Sequence, residues 1–479
     1  MERIITAEQA KIADRLAISS GISSLALMQT AAQGIADAVK ARRSRGETVT
    51  ALAGNGNNGG DGIAAALLLY REGIDARIVL CGGHNLTPDA AYYLDAAEKE
   101  GVPILSEWEP TENEILIDAL FGVGLNRPIK GEKRMLIERM NASEKAIVSA
   151  DLPSGLHADS GVVCGAAVKA DCTVTMQAKK AGMLLGQGRA LCGEVIVQPL
   201  YPDASEPKLF YEDEADVAAL LPKRPFDSHK GQNGHAMLCV GSKTYPGAAL
   251  LSSRAALRAG AGLLTVCTPE PVRTFFSALP EAITVSIGTD DWCEAATEPV
   301  MRAAENKQAI GIGCGIGKGD VTGILEKLLK TGKKLVLDAD ALNQMAEHRA
   351  LLGLLHGNVV ITPHAGEMAR LLQSTVKDVL NDPLGAVRAF PCATLLKGAT
   401  TLVHAADRTA FLTFGNPGLA KGGSGDVLTG FITAFLAQGL RPFDAARAGA
   451  YLLGTSADRA MKLLAERALL ASDVIDMVQ

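Results

Sequence analysis

Gly415-Asn416-Pro417-Gly418-Leu419-Ala420-Lys421-Gly422-Gly423-Ser424-Gly425-Asp426-Val427-Leu428-Thr429-Gly430 is the stretch whose reading decides the fold. Its glycines and proline mark a loop. The apolar run from Val427 to Leu436 then predicts a buried helix. Flexible backbone therefore runs into a helix N-terminus, where bare N–H groups can approach a ligand and the helix end favours an anion. Asp426 stands at that junction. A carboxylate repels bound phosphate unless its task is to take a proton from an attacking hydroxyl. Taken alone, the same residues fit a loop with an Asp N-cap equally well.

The residues upstream repeat one pattern, strand then polar loop then helix. His235–Val240 predicts a strand running into Gly241-Ser242-Lys243-Thr244-Tyr245-Pro246-Gly247, with a small-residue helix from Ala248 to Ala259. Ala309–Gly317 predicts a strand entering a glycine loop. That loop is no P-loop, because Lys318 is followed by Gly319 instead of Ser or Thr. Lys334–Asp340 predicts a strand ending in two acids, Asp338 and Asp340, which also fit helix caps. Val359–His364 ends in a histidine, and Ala393–Thr401 supplies Lys397 and further backbone donors. Such alternation predicts an α/β domain with a largely parallel sheet.

Bulk properties bound the function. The chain has 479 residues, a length that suggests two to four domains. A net charge of −6 argues against a nucleic-acid-binding surface. No apolar run reaches membrane-spanning length, and Met1–Gln9 lacks the apolar core of a signal peptide. The nine scattered cysteines form no CxxC pair and the eight histidines no HxxxH, so reduced thiols in a cytoplasmic protein without zinc are expected.

The first half repeats the alternation. Two helical segments over residues 7–41, broken at Ser19-Ser20-Gly21, precede a predicted strand, Thr48–Ala53. Gly54-Asn55-Gly56-Asn57-Asn58-Gly59-Gly60-Asp61-Gly62 follows, then a helix from Ile63 to Tyr70. Gly54, Gly56 and Gly59 satisfy GxGxxG, with Asp75 about twenty residues on, as in a dinucleotide fingerprint. Strands are also predicted over 77–80, 102–105, 114–118 and 146–151, and a second glycine loop over Gly122–Pro128. Three strand ends carry Asn58/Asp61, Asp118 and Asp151/Ser154. Acids at equivalent strand ends point to one shared site, and oxygen-only ligands suit a hard cation.

Together GNGNNGGDG, DALFGVGL and DLPSG resemble the YjeF N-terminal domain, the NAD(P)H-hydrate epimerases, over roughly residues 1–200. The resemblance implies a Rossmann-like domain that interconverts the R and S epimers of hydrated NADH and NADPH. It implies dinucleotide contacts at Asn57, Asn58, Gly59, Gly60 and Asp61, and a cradle at Gly122, Val123, Gly124, Leu125, Asn126, Arg127 and Pro128. It implies acid–base work at Asp151, and a potassium ion on Asn58, Asp118 and Ser154. The family's LMExAG-like run stands here as Leu27-Met28-Gln29-Thr30-Ala31-Ala32.

A late GxGD ahead of an apolar helix, without a Walker sequence, resembles the ribokinase-like superfamily. HKGxxGHA at 229–236, GSxxYPGAA at 241–249, DADALN at 338–343, TPHxGEMARLL at 362–372, KGATT at 397–401 and GNPGLAKGGSGDVLTG resemble the ADP/ATP-dependent NAD(P)H-hydrate dehydratases. The implied architecture is two three-layer αβα domains: Rossmann-like over residues 1–210 and ribokinase-like over 211–479, with the join in the linker Gln198–Pro207. The implied partners are NADHX and NADPHX, with ADP (or ATP) and its Mg²⁺, in a homo-oligomer. Ala248, Gly315 or Gly317, His364 and Asp426 would face the hydrated dinucleotide, with Asp426 as the base. Lys397, Gly398, Ala399, Thr400, Thr401 and Gly425 would hold the adenine nucleotide. Two loops depart from the family: its GPGLG is Gly313-Cys314-Gly315-Ile316-Gly317, and its TPHPGE has Ala365 at the second proline.

The rival reading is a ribokinase-like small-molecule kinase whose first half is a regulatory ligand-binding domain. His84, His157, His348, His356 and His404 have structural readings, and the charged helices at 131–145 and 321–334 read as solvated faces.

Overall fold

In the computed structural model the described residues are 1–83, 85–203 and 205–479, so His84 and the linker residue Ala204 lie outside them. The chain divides into two compact units, Arg3–Pro207 and Lys208–Gln479, the second also including Met1–Glu2.

The first unit is built on a parallel sheet. Its strand order is Ile104–Leu105, Ala76–Leu80, Thr48–Ala53, Glu114–Ala119, Ile147–Ala150, Cys172–Met176 and Glu194–Gln198. Side chains alternate across Thr48–Ala53. Val49, Ala51 and Ala53 pack with the helices Ser24–Arg42, Asn57–Arg71 and Pro88–Lys99, while Leu52 joins Leu116, Ile137 and Met140 on the other face. Burial on both faces explains the nearly unbroken apolar strands. The order reverses between Thr48–Ala53 and Glu114–Ala119, and ligands bind outside the carboxyl ends of strands at such a switch point.

The second unit has a sheet ordered Ile283–Ser286, Leu263–Thr268, His235–Cys239, Ala309–Ile312, Lys334–Leu337, Val359–Ile361 and Ala393–Leu396, all parallel. The antiparallel hairpin Thr401–Ala405/Arg408–Leu412 follows, and Leu209–Tyr211 runs parallel to the latter. Ala236 and Leu238 face the helices Pro246–Arg258, Ser424–Ala437 and Pro442–Ala460. Met237 and Cys239 face Thr297–Ala304, Thr322–Lys330 and Asp340–Glu347. Here the switch point falls between His235–Cys239 and Ala309–Ile312.

Both glycine-rich loops hold a surprise: the helix begins inside them. Asn57–Arg71 starts six residues before the predicted Ile63, and Ser424–Ala437 starts three before Val427. Glycine disfavours helix in isolation, but close packing reverses that here. A Cβ on Gly54 would collide with the Leu120 carbonyl, one on Gly59 with Gly54 itself, and one on Gly430 with the Ser252 carbonyl. Asp426 is therefore not an N-cap. Gly423 caps the helix at φ 99°, and Asp426 sits in the first turn.

Candidate active sites

In the first unit, a cavity of about 630 Å³ opens at the switch point. Asn57, Asn58 and Asp61 from the first turns of helix Asn57–Arg71 line it, together with Gly122–Arg127 and Asp151. Pro128 lies one residue beyond that lining, while Gly59 and Gly60 are buried beneath it. The backbone aims Asp151. Its φ of 62° lies in the left-handed region, a strain of about 1–3 kcal/mol that clusters at functional positions. The resulting kink turns its Oδ1 onto the neighbouring strand, where it accepts from Met176 N at 3.2 Å and Thr175 Oγ1 at 3.3 Å. Lys180 Nζ donates to the same oxygen at 2.5 Å.

Asp118 is fully buried. Its Oδ2 accepts from Ser149 Oγ at 2.7 Å and from Ser154 N at 2.8 Å, and burial raises its carboxyl above the usual range. Ser154 Oγ accepts from Phe121 N at 2.9 Å, tying the two strand ends together. Beside them, both polar atoms of the Asn58 side chain are buried with no hydrogen-bond partner. Asn58 abuts Gly122, where a Cβ would stand 3.1 Å from its Oδ1. Desolvation pushes the Asp61 carboxyl well above its ordinary range, and Asp151 and Asp14 add repulsion.

Asp75 does not join this site. It accepts from Thr48 Oγ1 at 2.6 Å, at the amino ends of the strands, opposite Gly54. The Asp75 spacing is a coincidence: the acid of a dinucleotide fingerprint is absent from the cavity lining. Sequence reasoning missed Lys180, Asp14, Gln177 and Tyr201, all of which line the cavity. The pair Lys179-Lys180 in the otherwise apolar stretch from Ala178 to Leu185 was the available signal for Lys180.

In the second unit a chain of contacts runs across the switch point. Ala248, in the first turn of helix Pro246–Arg258, abuts Gly315, where an added Cβ would approach the Ala248 Cβ to 2.6 Å. Gly317 faces the Tyr245 ring and Ser242, whose hydroxyl is buried without a partner. Cys314 is fully buried beside Asp426. Desolvation raises the Asp426 carboxyl to about 6. The charges of Asp338 and Asp340 push it the same way, against the Cys314 thiol and Lys397.

Asp338 is no helix cap. It is 1% exposed, and its Oδ1 accepts from Lys397 Nζ at 2.8 Å. Its Oδ2 accepts from Thr429 Oγ1 at 2.9 Å. Ala339, at φ 49°, supplies the kink that Asp151 supplies in the first unit. Asp340 Oδ2 accepts from Gly317 N at 2.7 Å, fixing the glycine loop. Lys397 also lies 3.6 Å from Glu367. Burial alone would lower its ammonium, but Asp338 and Glu367 outweigh that and hold it above the usual range.

His364 is the N-cap of helix Ala365–Leu372; its Nδ1 accepts from Gly366 N at 2.9 Å and Glu367 N at 3.3 Å. It also bridges in parallel to Lys397. Gly425, at the start of helix Ser424–Ala437, faces Asp338 and Lys397: a Cβ there would lie 3.5 and 3.7 Å from Oδ2 and Nζ. Gly398–Thr400 form the turn leading into strand Thr401–Ala405. A cleft of about 790 Å³ opens alongside, lined by Gly317, Asp340, Asn343 and Arg370 among others. The readings of His157, His356 and His404 match local hydrogen bonds, to Ser160, the Leu329 carbonyl and Thr409.

Two α/β units, Rossmann-like then ribokinase-like, each with a polar site at its switch point, define a two-centred nucleotide-handling α/β enzyme. The family described as NAD(P)H-hydrate dehydratase matches residues 236–479, and that described as YjeF-related protein N-terminus matches residues 24–182. The bifunctional NAD(P)H-hydrate repair enzyme of Coxiella burnetii is 37% identical, with 96% of this chain and 95% of that protein covered. Its Escherichia coli counterpart is 35% identical over 89% of this chain and 84% of that protein. A solved ADP/ATP-dependent NAD(P)H-hydrate dehydratase from Bacillus subtilis, co-crystallised with ATP/Mg²⁺, is 30% identical. It covers 56% of this chain and 95% of its own, with a TM-score of 0.47. The chain belongs to the family of bifunctional NAD(P)H-hydrate repair enzymes.

Proposed function

We propose that the chain repairs hydrated nicotinamide dinucleotides: residues 1–210 epimerise R- and S-NAD(P)HX, and residues 211–479 dehydrate S-NAD(P)HX to NAD(P)H, converting ADP to AMP and phosphate. The observation that carries this reading is Asp426, a carboxylate raised to about 6 in the first turn of a buried helix, beside the Asp338–Lys397 pair.

The chemistry follows from the substrate. Hydroxide at C6 of the hydrated ring is a poor leaving group and phosphate a better one. Asp426 takes the proton of the C6 hydroxyl as the oxygen attacks the β-phosphorus of ADP, and AMP leaves. General-base help of this kind is worth about 10²–10⁴ in rate. N–H groups of Gly422–Gly425 at the helix start stabilise the transferring phosphoryl group, and the nucleotide carries Mg²⁺. Elimination of phosphate then restores the nicotinamide ring. His364 and the Gly315–Gly317 loop bound the dinucleotide side, and Lys397–Thr401 the adenine-nucleotide side.

In the first unit Asp151 moves the proton that epimerisation at C6 requires. The orphaned Asn58 side chain, with Asp118 and Ser154, offers a hard oxygen-donor set that fits potassium. The ion would neutralise the buried Asp118 charge and order the Gly122–Pro128 loop. Nine free cysteines agree with a reducing, cytoplasmic setting.

The test supplies R- and S-NADHX separately with ADP, or with ATP, and follows NADH fluorescence. Recovery of NADH from both epimers supports the proposal. A stable phosphorylated product without NADH favours the kinase reading, and recovery from S alone removes the epimerase.

A further inference from the structure

The cavity of the first unit holds a charge arrangement that its proposed roles leave unused. Lys180 is 1% exposed and is among the largest fully buried side chains of the protein. Lysine is almost never buried unless paired. It lies in the two-residue strand Lys179–Lys180, which runs parallel to Ile4 and Ile5. Its ammonium has three acceptors for its three protons: Asp151 Oδ1 at 2.5 Å, the Met176 carbonyl at 2.7 Å and Thr175 Oγ1 at 3.0 Å. Thr175 Oγ1 and Met176 N also reach Asp151, again at Oδ1. Every one of these donors meets the same carboxylate oxygen, and Oδ2 takes none of them.

Other charged and titratable groups face the pair from the surrounding elements. Asp14 comes from helix Ala7–Ser19 and is hydrogen-bonded by Tyr201 at 3.3 Å. Asp61 comes from helix Asn57–Arg71, Asp89 from helix Pro88–Lys99, and Lys11 lines the same cavity. Three further carboxylates thus line the cavity with Asp151. Lys180 is the one cation in direct contact with it among the described residues.

We propose that Lys180 is a positioning residue of the epimerase site: it pins Oδ1 of Asp151 and leaves Oδ2 to the cavity as the proton acceptor. Lys180 itself neither gives nor takes a proton. Asp151 Oδ2 accepts the C6 hydroxyl proton as the C6–N1 bond breaks and a C6 carbonyl forms; it returns the proton as N1 re-adds to the opposite face, so the step balances with no further reactant. This inference rests on the epimerase reading of the first unit.

The test is the pH profile of kcat/KM for epimerisation, measured on the full chain with wild type and Lys180→Gln. Wild-type activity is established first; its absence would overturn the epimerase reading itself. With Lys180 gone, the acidic limb moves upward by about 1–3 pH units, the shift expected when an opposite charge is removed beside a carboxylate. Activity lost at neutral pH then returns in alkaline buffer. A uniformly reduced rate with an unmoved limb reflects packing alone and overturns the proposal, as does an unchanged profile. Dehydratase activity and the melting curve of the same preparation report folding. Should Lys180→Gln not fold, Thr175→Val supplies the reading, since it removes a group shared by Lys180 and Asp151. An upward limb, smaller than that of Lys180→Gln, supports the proposal, and an unmoved limb overturns it.

Discussion

Lys397 Nζ donates to Asp338 Oδ1 at 2.8 Å, joining the ends of strands Ala393–Leu396 and Lys334–Leu337. Gly425 faces this pair, so the N-terminus of helix Ser424–Ala437 meets one buried anion already matched by one cation. Glu367 adds a second carboxylate to Lys397, and Thr429 satisfies the far oxygen of Asp338. The charges of this network bear on Asp426, whose carboxyl is raised by burial to about 6.

Asp426→Asn abolishes dehydration and leaves epimerisation intact, because the amide cannot accept the hydroxyl proton. The loss is at least the about 10²–10⁴ of a general base. NADH recovery from S-NADHX and ADP measures one activity, and interconversion of the epimers the other. Equal loss of both would mean that the two sites do not act independently.

The same substitution has a stability signature with a defined sign. Asp426 binds its proton more tightly folded than unfolded, so between pH 3.8 and about 6 stability falls as pH rises. Above that window the ionised carboxylate costs the fold about 3 kcal/mol, the equivalent of a shift of some two units. Asp426→Asn therefore raises the melting temperature at pH 7.5 and does so less at pH 5. Equal gains at both values would reject the raised carboxyl.

Cys314 is fully buried beside Asp426, and its thiol favours the charged carboxylate. Dehydration should lose rate as pH falls through about 6, where Asp426 becomes protonated. Cys314→Ala removes that thiol, so the acidic limb of kcat/KM moves to higher pH. A limb that stays in place would mean that the thiol is only a filler.

Much of this was legible in the residues. Thr48–Ala53 was predicted with the bounds it has, and the buried runs Leu335–Leu337 and Val359–Ile361 declared a parallel sheet. Helix onsets inside the two glycine loops were not legible. Glycine reads locally as loop, while the helix at Asn57 depends on Gly54 and Gly59 meeting backbone from elsewhere. The strands Cys172–Met176 and Glu194–Gln198 also went unassigned, and their pairing is wholly tertiary. Lys180 escaped because a lysine is expected in solvent, and only a carboxylate 29 positions earlier explains its burial.

Lys397→Met removes the cation that lies 2.8 Å from the buried Asp338 carboxylate. Breaking a buried pair by deleting one partner costs about 3–5 kcal/mol. Lys397 is 23% exposed, which places the loss near about 3 kcal/mol. Urea unfolding should show a lower midpoint for the second unit. Lys397→Met/Asp338→Asn should recover part of it, because the stranded charge is gone. No recovery in the double variant would mean that the loss is packing and not charge.

Asn58 is the side chain that tests the proposed potassium site. Both polar atoms of its side chain are buried without a protein partner, a cost of about 1–3 kcal/mol each unless something binds there. Epimerisation should rise with potassium and fall when tetramethylammonium, too large for such a site, replaces it. Asn58→Leu is similar in volume, removes the orphaned atoms and abolishes the potassium response. The variant should melt no lower than wild type in potassium-free buffer, since the unsatisfied groups are gone. In wild type, added potassium should raise the melting temperature of the first unit. A wild type indifferent to potassium in both rate and melting would leave the Asn58 amide an unexplained buried group and remove the ion from this site.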